Sequence, residues 1–121
     1  FIRLADILLL KAEALNENGD AQGAMQLVNQ IRKRAKLSDA TASGKEEVKA
    51  AIAKERRLEL AFEGHRWYDL KRTGKAIDVM NNAVGPNGDK IGYNLTNERL
   101  LWPIPQSELD KNTKLSQNPG Y

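Results

Sequence analysis

Apolar residues recur at helical spacing twice in succession, separated by a turn too short for anything but a reversal, and that pattern fixes the start of the chain. Leu4, Ile7, Leu8, Ala12 and Leu15 fall on one stripe, and Ala24, Leu27, Val28, Ile31 and Ala35 on a second that runs to about Lys36. Recurrence every three or four residues marks amphipathic helix. Between the stripes, Asn18-Gly19 tolerates the left-handed backbone that stops a helix, and Asp20 offers a side-chain oxygen to cap the next. Helices joined this way fold back as an antiparallel hairpin. Ala12-Glu13-Ala14-Leu15, Gly19-Asp20 and Ala24 also supply the small-residue contacts and short turn of a tetratricopeptide-like repeat. One such hairpin cannot bury both faces, so its neighbours are expected upstream of Phe1. Without them, Leu4, Leu8 and Leu15 lose a covering partner, and the isolated chain is expected to self-associate.

The rest of the chain reads as more helix and then a loop-rich end. Leu37 to Gly44 is a polar loop in which Ser43 and Glu46 have capping-box spacing. A long helix is expected over about Lys45 to Glu63, with Val48, Ala51, Ile52, Leu58 and Phe62 on its apolar face and Glu55 and Glu59 on or beside it. Gly64 breaks it. A shorter helix, about His65 to Arg72, carries Trp67, Tyr68 and Leu70, and Thr73-Gly74 separates it from another stretch with Ile77, Val79 and Met80. Beyond Ala83 the helical period disappears. Gly85-Pro86-Asn87-Gly88-Asp89 is a turn-rich loop, Arg99 to Ile104 a short extended piece held by Pro103 and Pro105, and Ser107 to Asn112 a turn or two of helix. The fold expected is therefore mostly α: a single folded unit over 1–121, with a tetratricopeptide-like hairpin at 1–36, a helical region at 45–84 and a loop-rich segment at 85–121.

Composition narrows the chemistry. With 121 residues and a hydrophobic fraction of 40%, one modest core is affordable. The net charge of +3 is spread among mixed signs, and Arg32-Lys33-Arg34 and Arg56-Arg57 adjoin acidic or apolar neighbours, so no nucleic-acid groove is expected. The absence of cysteine excludes disulfides, thiolate metal sites and a cysteine nucleophile. The longest apolar run, Ile7-Leu8-Leu9-Leu10, is too short to span a bilayer. Phe1 opens directly into a helical pattern, which suggests a longer protein with its address label upstream.

The densest chemistry runs from Glu55 to Leu70. As a catalytic centre, Glu55 with Glu59 or Glu63 offers the paired carboxylates of a glycoside hydrolase. As structure, the same carboxylates are neutralised by arginines, with Arg66 one helical step beyond Phe62. The structural reading is preferred, because buried charge persists when paired, and a compensated pair has no need of a working proton. His65 is the only histidine, and with no phosphate loop, metalloprotease helix or calcium loop, no metal or cofactor is expected. Sugar sites use flat rings. Core packing is expected for Trp67, Tyr68 and Trp102, which leaves Tyr93 in its Gly/Asn loop as the candidate ring for ligand contact.

Several stretches resemble one known family. Glu55-Arg56-Arg57-Leu58-Glu59-Leu60-Ala61-Phe62-Glu63-Gly64-His65-Arg66-Trp67-Tyr68-Asp69-Leu70-Lys71-Arg72, Trp102-Pro103-Ile104-Pro105 and the closing Gln117-Asn118-Pro119-Gly120-Tyr121 resemble the C-terminal region of SusD/RagB proteins. The helix from Arg3 to Asn16 is also similar to a family helix, so the likeness covers nearly the whole chain. It implies a helical, non-catalytic lipoprotein on the outer surface of an outer membrane, anchored through an upstream cysteine. Such a protein captures oligosaccharides, less often peptides, for a SusC-like TonB-dependent transporter. The resemblance also implies a scaffold role for Glu55, Arg56, Glu59, Glu63, Gly64, Arg66 and Asp69. Two other functions compete: a tetratricopeptide-like module docking the transporter, and a glycoside hydrolase using Glu55 and Glu59.

Overall fold

The computed structural model describes residues 2–121; Phe1, upstream of which further repeats are expected, lies outside them. Helices α1 (Leu4–Glu17), α2 (Ala21–Arg34), α3 (Lys45–Glu59), α4 (His65–Arg72), α5 (Ala76–Asn81) and α6 (Gln106–Lys111) follow one another, with a 3-10 turn at Glu98–Leu100. An isolated antiparallel bridge between Val84 and Lys90 is the β-pairing among the described residues. The chain is mostly α and divides into two compact units, Phe1–Arg66 and Trp67–Tyr121.

In the first unit α1, α2 and α3 pack on one another. Asn18 closes α1, Gly19 takes φ +90°, and the Asp20 carboxylate accepts from the Gly23 N–H at 2.8 Å, so the reversal is built from the turn residues themselves. α2 ends at Arg34, two residues short of expectation. Lys36 adopts φ +58°, and the Leu37 N–H returns to the Arg32 carbonyl, satisfying an orphaned helix-end acceptor.

The core joins Ala5, Leu9, Ala12, Ala24, Met25, Val28, Ile31, Val48 and Ile52. Of the stripe read on α1, Ala12 is in this core and Leu8 and Leu15 pack against it, whereas Leu4 is 71% and Ile7 48% exposed, and the buried face also takes in Asp6, Leu9 and Asn16. The run Leu8-Leu9-Leu10 makes α1 apolar on more than one side, so periodicity alone could not choose a face. Polar partners settle it. Asn16 Nδ2 donates to the Lys45 carbonyl at 2.9 Å, and Asp6 meets an α3 arginine.

α3 ends at Glu59, four residues before the expected Glu63. The chain then turns through Leu60–Gly64, with Phe62 at φ +65° and Gly64 at φ +79°. Leu58 and Phe62, expected on the apolar face, are exposed, because that face ends in Glu55 and Arg56, which are buried instead. The N-terminal box is shifted by a residue as well: Gly44 occupies the cap position, and the Ser43 N–H donates to Glu47, not Glu46, at 3.0 Å.

In the second unit, extended backbone follows the 3-10 turn and is held by side chains. Pro103 and Pro105 cannot donate to a ladder. The Gln117 amide instead clamps both main-chain groups of Ile104 at 2.8 and 2.9 Å, Asn118 Nδ2 donates to the Trp102 carbonyl at 2.6 Å, and the Tyr121 hydroxyl donates to the Leu101 carbonyl at 2.8 Å. Asn81 clamps Leu95 in the same way.

The buried face of α1 makes a direct prediction. Leu9→Ala should cost about 3 kcal/mol in denaturant unfolding, and Leu4→Ala less than about 0.5 kcal/mol. Equal costs would show that Leu4 is as well covered as Leu9.

Candidate functional site

The candidate site is the ion-pair corner where α3 meets the hairpin. On a helix, residues four apart share a face and adjacent residues diverge. Glu55 and Glu59 can therefore turn together toward α2 while Arg56 turns toward α1. Glu55, buried, accepts from Arg32 Nη1 at 3.0 Å. Arg32 Nε also donates to the Ser38 carbonyl at 2.9 Å, so this guanidinium fixes the outgoing loop as well. Glu59 accepts from Arg34 Nη2 at 2.7 and 2.9 Å and from Arg3 Nη1 at 2.5 Å. Arg3 further donates to the main-chain oxygen of Glu59 and grips Glu63 through Nε at 2.8 Å and Nη2 at 2.7 Å.

The deepest pair is Arg56 with Asp6. Both are buried, and Nη2 lies 2.9 Å from Oδ1. The carboxylate oxygen sits off the direction of a well-aligned hydrogen bond, so this contact is chiefly electrostatic. Each of these pairs joins α3, or the turn after it, to α1, α2 or the residue preceding α1.

Electrostatics follow the geometry. Hydrogen bonds from Arg3, and then its charge, hold the Glu63 carboxyl below the ordinary carboxylate range; Glu63, then Glu59, hold the Arg3 guanidinium protonated. A carboxyl depressed on folding adds stability above its unfolded pKa, and this is lost as pH falls through its folded value.

The structure brings Glu55, Arg56, Glu59 and Glu63 together, and Gly64 ends the turn that positions Glu63. Arg66 is different: it is exposed and makes no ion pair among the described residues, because the turn ending α3 early delivers Glu63 to Arg3. Asp69, in the second unit, accepts from Arg72 Nε at 2.9 Å. The partners the sequence left unassigned are Arg3, Asp6, Arg32 and Arg34. Their signal was charge on or beside apolar helix stripes.

The rings also differ from expectation. Trp102 is 82% and Tyr68 72% exposed, in place of core packing. The Trp102 segment is anchored through its main chain, and on α4 the buried position is Leu70, on another side from Tyr68. Trp67 is half-buried, with Lys71 Nζ 6.0 Å from its ring centroid. Tyr93 is about half exposed. Among the described residues, no cluster of three histidine or carboxylate ligands forms a metal site, and no helix is long and apolar enough to cross a membrane.

A family model described as the SusD family matches residues 1–121. A SusD-like protein, P38, of Formosa agariphila is 45% identical over 128 residues, which cover 98% of this chain and 24% of that protein. The starch-binding protein SusD of Bacteroides thetaiotaomicron is 32% identical over 120 residues, covering 98% and 21%. Among solved structures, a SusD-like protein from Bacteroides fragilis superposes with a TM-score of 0.82 at 37% identity, over 99% of this chain and 25% of that one. The chain thus spans about a quarter of the length of the curated relatives it matches.

If the corner is structural, Glu59→Gln should lower unfolding stability by about 1 kcal/mol, since it removes the anion that Arg3 and Arg34 share while both guanidinium groups stay partly solvated and Arg3 keeps Glu63. Arg66→Ala should stay within about 0.5 kcal/mol. Equal losses at both positions would return Arg66 to the network.

Proposed function

The chain belongs to the SusD family, and from that membership we propose that it is a mainly scaffolding part of a non-catalytic, glycan-binding subunit of an outer-membrane uptake complex. The subunit would be lipid-anchored on the outer surface and would hand oligosaccharides, or peptides, to a SusC-like TonB-dependent transporter. The observation that carries the non-catalytic reading is the commitment of Glu55 and Glu59 to guanidinium groups from the hairpin and the residue preceding it. A glycosidase needs one carboxyl protonated as acid and a second ionised, each facing the scissile bond. Carboxylates locked to arginine at 2.5–3.0 Å favour a brace instead. The likeness to a starch-binding protein supports a glycan as ligand.

Tyr93 is the proposed ring for ligand contact within this chain. A second reading, a tetratricopeptide-like module that docks the transporter, is supported by the packed hairpin of α1 and α2. A transporter pull-down that persists without sugar would support it.

Titrating the full-length protein calorimetrically against panels of oligosaccharides and peptides tests the main reading. Binding of at least one glycan without release of reducing ends is expected, and Tyr93→Ala should weaken it by roughly two- to tenfold. Silence across both panels, or hydrolysis that disappears in Glu55→Gln and Glu59→Gln, would overturn the proposal.

A further inference from the structure

A groove of about 750 Å³ lies between α2 and the loop after it, a volume within the usual range of ligand sites. Its outer wall is fixed. Asn29 pairs with both main-chain groups of Ala40, donating to the carbonyl at 3.1 Å and accepting from the N–H at 2.8 Å. Arg32 holds the Ser38 carbonyl, and Glu47 holds the Ser43 N–H. Such a loop is ordered before anything binds, which removes part of the entropic cost of association.

The inner wall presents a row of amides. Gln22, Gln26 and Gln30 are exposed, line the groove and recur every fourth residue of α2. Each step therefore advances about 6 Å along the axis. Every amide offers both donors and an acceptor. Extended polypeptide repeats its outward N–H and C=O groups on one edge every second residue, at about 6.6 Å. The two repeats differ by about 1.2 Å over the whole row, within the reach of a flexible glutamine. From Gln22 to Lys33 the groove runs about 16 Å, the span of some five extended residues.

Charge and composition narrow the occupant further. Lys33 and Asp39 also line the groove, carry opposite charge and have no ion-pair partner among the described residues. Together they give the groove no net charge, so it exerts no long-range pull on a polymer of one sign. No ring lines it, so it lacks the flat apolar platform that a pyranose face would use.

We propose that this groove docks an internal, extended segment of about five residues from a partner polypeptide, held through its main chain by Gln22, Gln26 and Gln30. The site is separate from the ion-pair corner and does not depend on the glycan reading.

The test is fluorescence polarisation of the full-length protein with a pool of terminally blocked, fluorescein-labelled, randomised hexapeptides, beside the same pool with free termini and beside labelled maltoheptaose. The blocked pool should bind at least as tightly as the free one. It should lose tenfold or more both in the triple variant Gln22→Ala, Gln26→Ala, Gln30→Ala and in Gln26→Trp, which fills the groove. All these positions are exposed, so melting temperatures should hold. Absence of blocked-peptide binding at millimolar concentration, unchanged binding in both variants, a preference for free termini, or loss of maltoheptaose binding alone would each overturn the assignment.

Discussion

Everything in the first unit depends on how α3 is seated against the hairpin, and that seat is electrostatic at its centre. Leu9, Val28, Val48 and Ile52 fill the space between the three helices, yet the core is small, and α3 contributes few large apolar side chains to it. Arg56 and Asp6 are buried together, and Glu55 meets Arg32 beside them. Taking such charges out of water costs several kcal/mol per ion, so each tolerates burial only while its partner is in place. The consequence is specificity: sliding α3 by one residue would leave arginine and carboxylate unpaired in an apolar setting.

The network also explains why α3 stops at Glu59. Arg3, at the entrance to α1, binds both the main-chain oxygen at Glu59 and the Glu63 side chain, so the backbone must leave the helix and curl back within a few residues. Phe62 accepts left-handed backbone there, a conformation costly for a residue with a Cβ. Glu63 is brought to Arg3 by that turn, and Arg66 is left in solvent.

Much of this was legible in the sequence and some was not, for identifiable reasons. The hairpin could be read because Asn18, Gly19 and Asp20 encode their turn locally, and the presence of compensated charge on α3 followed from carboxylates lying along its apolar stripe. The identity of the partners was hidden, since Arg3, Asp6, Arg32 and Arg34 come from elements distant in sequence, which only packing brings near. The α1 face was legible in part: Ala12, Leu8 and Leu15 do face the core, but with leucines on several sides of the helix, spacing did not show that Asp6, Leu9 and Asn16 turn inward as well. The closing segment shows the same limit. Pro103 and Pro105 announced extended backbone, but that Gln117 and Asn118 would replace the missing strand partner could not be read from spacing.

The most direct test of the electrostatic seat is a double-mutant cycle on its deepest pair, using Asp6→Asn, Arg56→Met and the combination, with stability measured by denaturant unfolding. Each single change should cost about 3 kcal/mol by stranding its partner, and the double should cost well under the sum, giving a coupling above about 1.5 kcal/mol. Costs that add to within about 0.5 kcal/mol would show that the two charges do not hold α3 in place.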